Sequence, residues 1–307
     1  MDERRRALRE MLKSPGLTLA PGVTNAFYAK LAEKAGFELL FTTGAGIANT
    51  VLGVPDLGLT TMNEVIDVTR HIADATTLPV VADGDTGYGN HVNVMRTTRE
   101  MERAGVAGFF IEDQVSPKKC GHFEGKMVVP AEEMVQKIVA ARRARTDPEM
   151  VLIARTDAIA VEGLQSALQR ARLYVAAGAD VIFIEAPRTR EEMEAIPRNV
   201  PAPCLVNLVE GGKTPVLPAR DLEQMGFKIA VYANMALRVA ATSVARAFET
   251  LRREGTSSSL VADMLEWDER QETVGLSYWR RVDLEIADEA RRLTDSAAET
   301  AGRRHAV

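Results

Sequence analysis

The 307 residues carry 38 Lys plus Arg against 43 Asp plus Glu, a net charge of −5, and 46% of them are hydrophobic. A chain of this size can bury one large core, and its basic residues are spread along it. That excludes the electrostatic footprint of a nucleic-acid or anionic-membrane binder and leaves small molecules as the expected partners. Cys120 and Cys204 are too few for a disulfide framework, which fits a reducing, cytoplasmic setting.

The chain opens on MDERRRALREML, charged and without the apolar stretch of a signal peptide, and no later run reaches the ~18 apolar residues of a membrane span. Short apolar runs rich in β-branched and aromatic residues then recur. They are LTLA (17–20), FELLFTT (37–43), LPVVADGD (78–85), GFFIEDQ (108–114), MVLIARTD (150–157), VIFIEA (181–186), CLVNLVE (204–210) and IAVYANM (229–235). Between them lie segments with helical spacing, such as TTMNEVIDVTRHIADAT and GLQSALQRARLYVAAGA, several ending at Ala-Gly pairs (35–36, 104–105, 177–178) where glycine can close the helix in the left-handed conformation. Strand-helix alternation argues for parallel strands with helical crossovers, and eight units in one domain read as a (β/α)₈ barrel over residues 1–255, with a doubly wound open sheet as the alternative. After REGTSSSL the pattern changes to amphipathic helices, so residues 256–307 are expected to be a helical extension for oligomer contact, with Trp267, Tyr278 and Trp279 supplying aromatic surface.

In such barrels function gathers at the C-terminal ends of the strands. Polar residues sit there in this chain: Thr42 and Thr43, Asp83 and Asp85, Glu112 and Asp113, Arg155 and Asp157, Glu185, and Asn207. Asp83 and Asp85, two apart at a strand end, would point to the same side of the pleat; with Glu112 and with Asp56 in GVPDLG they form an all-oxygen set that suits Mg²⁺, or else they are turn formers beside Gly84 and Gly87. Cys204, inside an apolar strand, reads as a small buried hydrophobe. Cys120 differs, because it lies in a polar loop between Lys118-Lys119 and Gly121-His122, where cations would favour its thiolate and the loop could deliver it to a site. A Cys120–His122 nucleophilic pair is the weaker reading, since no orienting third group is apparent. Arg155, at the end of a buried strand, needs a partner, and an organic carboxylate is the natural one. Glu185 and Asn207 would orient a water or the substrate, or would be satisfied inter-strand hydrogen-bonding residues.

The series TTGAG (42–46), GVPDLG (53–58), DGDTGYGN (83–90), IEDQVSPKKCGH (111–122), ARTDA (154–158), IEAP (184–187) and NLVEGGKTP (207–215) resembles the isocitrate lyase/phosphoenolpyruvate mutase superfamily. The likeness is greatest to its 2-methylisocitrate lyase, 2,3-dimethylmalate lyase and carboxyphosphonoenolpyruvate mutase branch. The resemblance implies Mg²⁺, with Mn²⁺ as an alternative, held by Asp83, Asp85 and Glu112. It implies a substrate pocket of Thr43, Gly44, Ala45, Asp56, Arg155, Asn207 and Thr214, and catalytic roles for Cys120 as general acid, Arg155, Glu185 and His122. It further implies a homotetramer with a swapped C-terminal helix. The reaction implied is retro-aldol cleavage of a 2-hydroxy di- or tricarboxylate to pyruvate or glyoxylate and a second carboxylate. A phosphonate mutase and an oxaloacetate decarboxylase or hydrolase are the alternatives. Phe41, Ala45 and YANMA (232–236) depart from the common pattern of the lyases.

Overall fold

The computed structural model describes the backbone of residues 3–304 and the side chains of residues 3–296; the last residues of the expected extension lie outside the described residues. Two compact units divide the chain, Met1–Glu249 and Thr250–Val307.

In the first unit eight parallel strands close into a barrel: β1 Thr18–Val23, β2 Leu40–Thr42, β3 Val80–Asp83, β4 Gly108–Glu112, β5 Val151–Thr156, β6 Val181–Ile184, β7 Cys204–Asn207 and β8 Ile229–Tyr232, which pairs with β1. Apart from a few threonines and the polar residues at their C-terminal ends, the strands are apolar because the barrel buries both of their faces, one against the helices and one inside. The outward set, including Ala82, Phe109, Ile111, Leu152, Ala154, Ile182 and Ile184, packs against the surrounding helices in one continuous cluster. The inward set, including Phe41, Val81, Phe110, Ile153, Phe183, Leu205 and Val231, forms the barrel interior. The N-terminal helix Glu3–Lys13 adds Leu8 and Leu12 to that inner cluster. β2 is only three residues long: the chain turns at Gly36 (φ +86°), and Phe37 packs on a separate small cluster with Val23, Ala29, Leu40 and Ile72 before pairing starts at Leu40. Gly105 and Gly178 take positive φ at helix ends, as Gly36 does.

The period of two places one polar residue above each inward apolar one: Asp83 above Val81, Glu112 above Phe110, Arg155 above Ile153, Glu185 above Phe183, and Asn207 above Leu205. Register makes them neighbours, since Glu112 lies opposite Arg155 and Phe110 opposite Ile153. The C-terminal mouth is therefore a polar layer on an aromatic floor. Phe41 and Phe110 stack at 5.4 Å, and Phe183 meets Phe110 edge-on at 5.7 Å.

The helix Met235–Glu254 follows β8, and its apolar Val239, Val244, Phe248 and Leu251 are exposed. In the second unit a short 3₁₀ turn, Ser258–Asp263, precedes the helices Trp267–Thr273 and Leu276–Arg304. Tyr278 stacks edge-on against Trp279 there, and both rings are exposed. No helix among the described residues is long and apolar enough to cross a membrane.

Candidate active site

Arg155 is the centre of the mouth. Its Nε lies 3.1 Å from Glu112 and 2.9 Å from Asp157, and its Nη2 lies 3.3 Å from Glu185. Its guanidinium rests 5.0 Å from the Phe183 ring centroid and 5.9 Å from that of Phe110, so the aromatic floor fixes its plane. Burial works against its charge, but Asp157, Glu112 and Glu185 raise its pKa well above the usual value, and it stays cationic. The same surroundings set the acids. Burial would raise Asp157, yet Arg155 and Lys126 hold it down at about 2. Glu185, also buried, is kept below the ordinary carboxylate range by Arg155 and His122.

The segment 115–127 closes over this layer and carries the thiol. Gln114 anchors it, donating to the Lys119 carbonyl at 2.8 Å and accepting from the Lys119 amide at 3.0 Å. The Cys120 amide donates to the Asp56 carbonyl at 3.2 Å. The close approach requires Gly121, because a Cβ there would stand 2.5 Å from Arg155 Nη2 and 2.6 Å from Glu185 Cγ. His122 accepts the Lys213 amide at Nδ1 (3.1 Å), which places its proton on Nε2, 3.3 Å from Glu185 Oε1. Cys120, Gly121 and His122 thus line one cavity with Phe41, Thr43, Ala45, Asp56, Asp83, Lys118, Arg155, Glu185, Asn207, Val209, Ala233 and Asn234.

Lys118 was not singled out by the sequence as a site residue. Its ammonium lies 2.6 Å from Asp56 and 2.8 Å from Asp85, inside the carboxylate cluster, and those acids with Asp83 and Glu112 raise its pKa well above normal despite burial. The expectation that Lys118 and Lys119 favour a Cys120 thiolate is therefore corrected. Lys118 is taken by acids, Lys119 Nζ donates to the Gly125 carbonyl, and burial, followed by Asp56 and Glu185, pushes the thiol up. A neutral thiol is a proton donor. The motif KKCGH was the available signal for Lys118, but sequence adjacency does not say which way an ammonium points.

A second correction concerns the pleat. β3 stops at Asp83, and Asp85 has φ +46°, so a left-handed turn rather than strand alternation brings the two carboxylates together. Asp83 Oδ1 accepts the Asp85 amide at 2.9 Å and Asp83 Oδ2 accepts the Gly44 amide at 2.9 Å. That amide is consequently engaged by protein, whereas Ala45 lines the cavity and Thr43 caps its short helix through the Gly46 amide. Thr214 is buried with no partner for its hydroxyl and does not line the central cavity. Asn207 reaches Glu185 at 3.5 Å and leaves its own Oδ1 unpaired.

The residues fit a divalent cation in charge and in unmet need. Burial and Asp85 raise Asp83 to about 6, and burial holds Glu112 well above its usual range. Glu112 Oε1 is buried without a hydrogen bond, and Asp85 Oδ1 has only the ion pair to Lys118. Acids pushed up in this way are short of positive charge. Among the described residues no three His, Cys, Asp or Glu side chains converge as direct metal ligands. That donor set suits a cation which keeps much of its water, as Mg²⁺ does.

A family model described as phosphoenolpyruvate phosphomutase matches residues 8–252. The chain is 42% identical over 276 residues to 2,3-dimethylmalate lyase of Eubacterium barkeri, covering 90% of this chain and 96% of that one. It is 43% identical over 279 residues to 2-methylisocitrate lyase of Halalkalibacterium halodurans, covering 91% and 92%. Among solved structures, oxaloacetate acetylhydrolase in complex with 3,3-difluorooxalacetate superposes with a TM-score of 0.88 at 34% identity, covering 92% of this chain and 97% of that one. Phosphonopyruvate hydrolase in complex with oxalate and Mg²⁺ superposes with a TM-score of 0.83 at 34% identity, covering 92% and 98%.

Proposed function

The chain belongs to the phosphoenolpyruvate mutase/isocitrate lyase superfamily and is a carbon–carbon lyase, and from that premise we propose that it cleaves a 2-hydroxy di- or tricarboxylate of the 2,3-dimethylmalate or 2-methylisocitrate type to pyruvate and a second carboxylate. The observation that carries the reading is the thiol of Cys120, kept protonated by burial and held in the same closed cavity as Arg155, Glu185 and Asn207.

Arg155 grips the carboxylate of the 2-hydroxy acid portion, with Asn207 and Glu185 positioned to fix its orientation. His122 Nε2 stands 3.3 Å from Glu185 Oε1, and neither atom has a hydrogen-bond partner within the protein. Asp83, Asp85 and Glu112 are the residues that would hold a Mg²⁺ ion, which when bound would supply positive charge to the substrate oxygens. An ionised mouth carboxylate accepts the hydroxyl proton as the C–O bond becomes a carbonyl, and releases that proton to solvent when the lid opens. The C–C bond breaks, and its electron pair remains on the carbon next to the departing carboxylate. The Cys120 thiol then donates its proton to that carbon, completing the second product, and the thiolate regains a proton from solvent when the lid opens. The lid excludes water while the carbanion exists.

The small wall of Ala45, Val209 and Ala233 beside the Phe41–Phe110 stack leaves apolar room for a substrate alkyl group. We further propose a homotetramer with a swapped C-terminal helix. It is supported by the exposed apolar stripe of the helix Met235–Glu254 and by an apolar hollow lined by Pro21, Val23, Tyr28, Leu31, Phe37 and Val239. Light scattering of the purified protein reads its mass directly.

The test is pyruvate release, coupled to NADH oxidation by lactate dehydrogenase, from 2,3-dimethylmalate, 2-methylisocitrate, isocitrate and oxaloacetate, with and without Mg²⁺. A parallel glyoxylate assay covers isocitrate. Metal-dependent pyruvate from either of the first two supports the reading; turnover of oxaloacetate alone replaces it with hydrolysis or decarboxylation.

A further inference from the structure

Lys126 lies at the base of the lid, and its side chain is 1% exposed. Its ammonium has two partners: the carbonyl of Gly121, the residue after Cys120, and Asp157 Oδ1 at 2.6 Å. A lysine buried so fully must answer a specific need, because desolvating an ammonium costs more than an apolar side chain in the same space. Asp157, itself completely buried, is shared. It accepts Arg155 at both oxygens, Nε to Oδ2 at 2.9 Å and Nη2 to Oδ1 at 3.2 Å, and its amide is fixed by Asp113 Oδ1 at 3.0 Å. Asp113 in turn accepts Thr156 and Tyr174 hydroxyls at 2.7 Å each, so Asp157 stands on a rigid barrel network.

The backbone next to Lys126 is also tied down, since the Val115 amide donates to the Met127 carbonyl at 2.9 Å and Val129 to Asp113 at 2.8 Å. The apex at Gly121 therefore docks onto a fixed post. We propose that Lys126 is a positioning residue: through Asp157 and the Gly121 carbonyl it latches the Cys120 peptide over the site, and it sets how much of the Asp157 charge falls on Arg155. This rests on the lyase reading given above, in which Cys120 acts from the closed lid. Substrate can reach Arg155 only when the Gly121 carbonyl leaves Lys126, so the latch strength sets the balance of open and closed lid.

The experiment is the rate of iodoacetamide alkylation of Cys120, located by peptide mass mapping in the full-length protein at fixed pH. Cys204 is an internal control, because burial pushes its thiol up to about 12 and it is 1% exposed. Lys126→Met is expected to raise Cys120 alkylation ~10- to 100-fold, the range given by losing one charge-assisted hydrogen bond, with Cys204 unchanged. Lys126→Arg is expected to restore most of the protection and most of kcat. An alkylation rate within twofold of wild type in Lys126→Met, whatever its melting temperature, overturns the proposal and leaves a plain structural ion pair. If Lys126→Met does not fold, the double variant Lys126→Met/Asp157→Asn, which leaves no lone buried charge, makes the same labelling test. Because alkylation needs no substrate, an enzyme silent on every acid in the panel would sink the lyase reading while the latch stayed readable.

Discussion

The two ends of the barrel treat buried charge in opposite ways. At the N-terminal end of the strands, Arg5 lies 2.9 Å from Asp147 and donates to the carbonyls of Val106 and Glu102, while Asp180 takes Arg9 at 2.7 Å, Arg145 at 2.8 Å and the Leu152 amide at 2.9 Å. At the C-terminal end, Asp85, Tyr88, Glu112, His122, Glu185, Asn207, Glu210 and Thr214 each keep a buried polar atom without a hydrogen bond; Thr69 is the one other such residue among the described side chains. One end is finished by the protein alone. The other keeps unmet polar atoms, and those of His122, Glu185 and Asn207 belong to residues that line the cavity, where a bound molecule can meet them. Substitutions at the mouth should therefore cost activity, with stability lost only where a shared buried cation goes, and those at the base should cost stability alone.

Arg155→Met tests that rule hardest. It removes the substrate grip and leaves Glu112, Asp157 and Glu185 without their shared cation. A fall in kcat/KM of roughly 10³ or more is expected, together with a stability loss of about 3–5 kcal/mol, because uncompensated buried charge is costly. Steady-state kinetics and urea unfolding read the two effects. A fully stable variant would mean that the mouth carboxylates take up protons or another cation without penalty.

Cys120→Ser is the cleaner separation. The expected loss in kcat is ~10²–10⁴-fold, typical of removing a general acid, with a melting temperature within about a degree of wild type. Unchanged kcat would remove Cys120 from the chemistry and with it the main support for the lyase mechanism.

Metal should reverse the deficit of the mouth. Asp83 has its folded pKa raised from 3.8 to about 6, so it favours the protonated form in the fold. In metal-free protein this costs stability progressively as pH rises from about 4 to about 6, on the order of 3 kcal/mol when complete. Mg²⁺ needs the carboxylate, so its stabilising effect should grow over the same window, reaching about 2.7 kcal/mol at a hundredfold excess over Kd. Melting curves at pH 5, 6 and 7, with Mg²⁺ or EDTA, measure the gap. A gap independent of pH would place the ion away from Asp83.

Both ends were not equally legible in the sequence. The eight strands were readable because a barrel buries both faces of each, leaving apolar runs that end on one polar residue. The mouth acids were readable for the same reason. What sequence could not supply was direction. Lys118 sits next to Lys119 in the chain, yet one ammonium enters a carboxylate cluster and the other stays on a loop carbonyl. Asp85 reaches Asp83 through a left-handed turn and not a pleat, and Lys126 meets Asp157 across 31 residues, a distance no motif spans. The base of the barrel was the least legible of all, since Arg9 and Asp180 pair across 171 residues and carry no chemistry that marks them.

Arg9→Gln is the complementary substitution at that base, and the smallest effect expected. Arg9 donates to Asp180 and to the carbonyls of Glu149, Pro148 and Met150, and its side chain is 18% exposed. Losing it leaves Asp180 with Arg145 and the Leu152 amide, so no orphaned charge remains. The cost should therefore stay near about 1–2 kcal/mol, that of a partly screened charged pair, and appear as a melting temperature lower by a few degrees. Because strands β4 to β6 run from this end to Glu112, Arg155 and Glu185, a base that merely seals the barrel should leave kcat and KM within about twofold of wild type. A kcat change as large as that of a mouth variant would show that the base sets the register of those strands, and that the two ends are mechanically one.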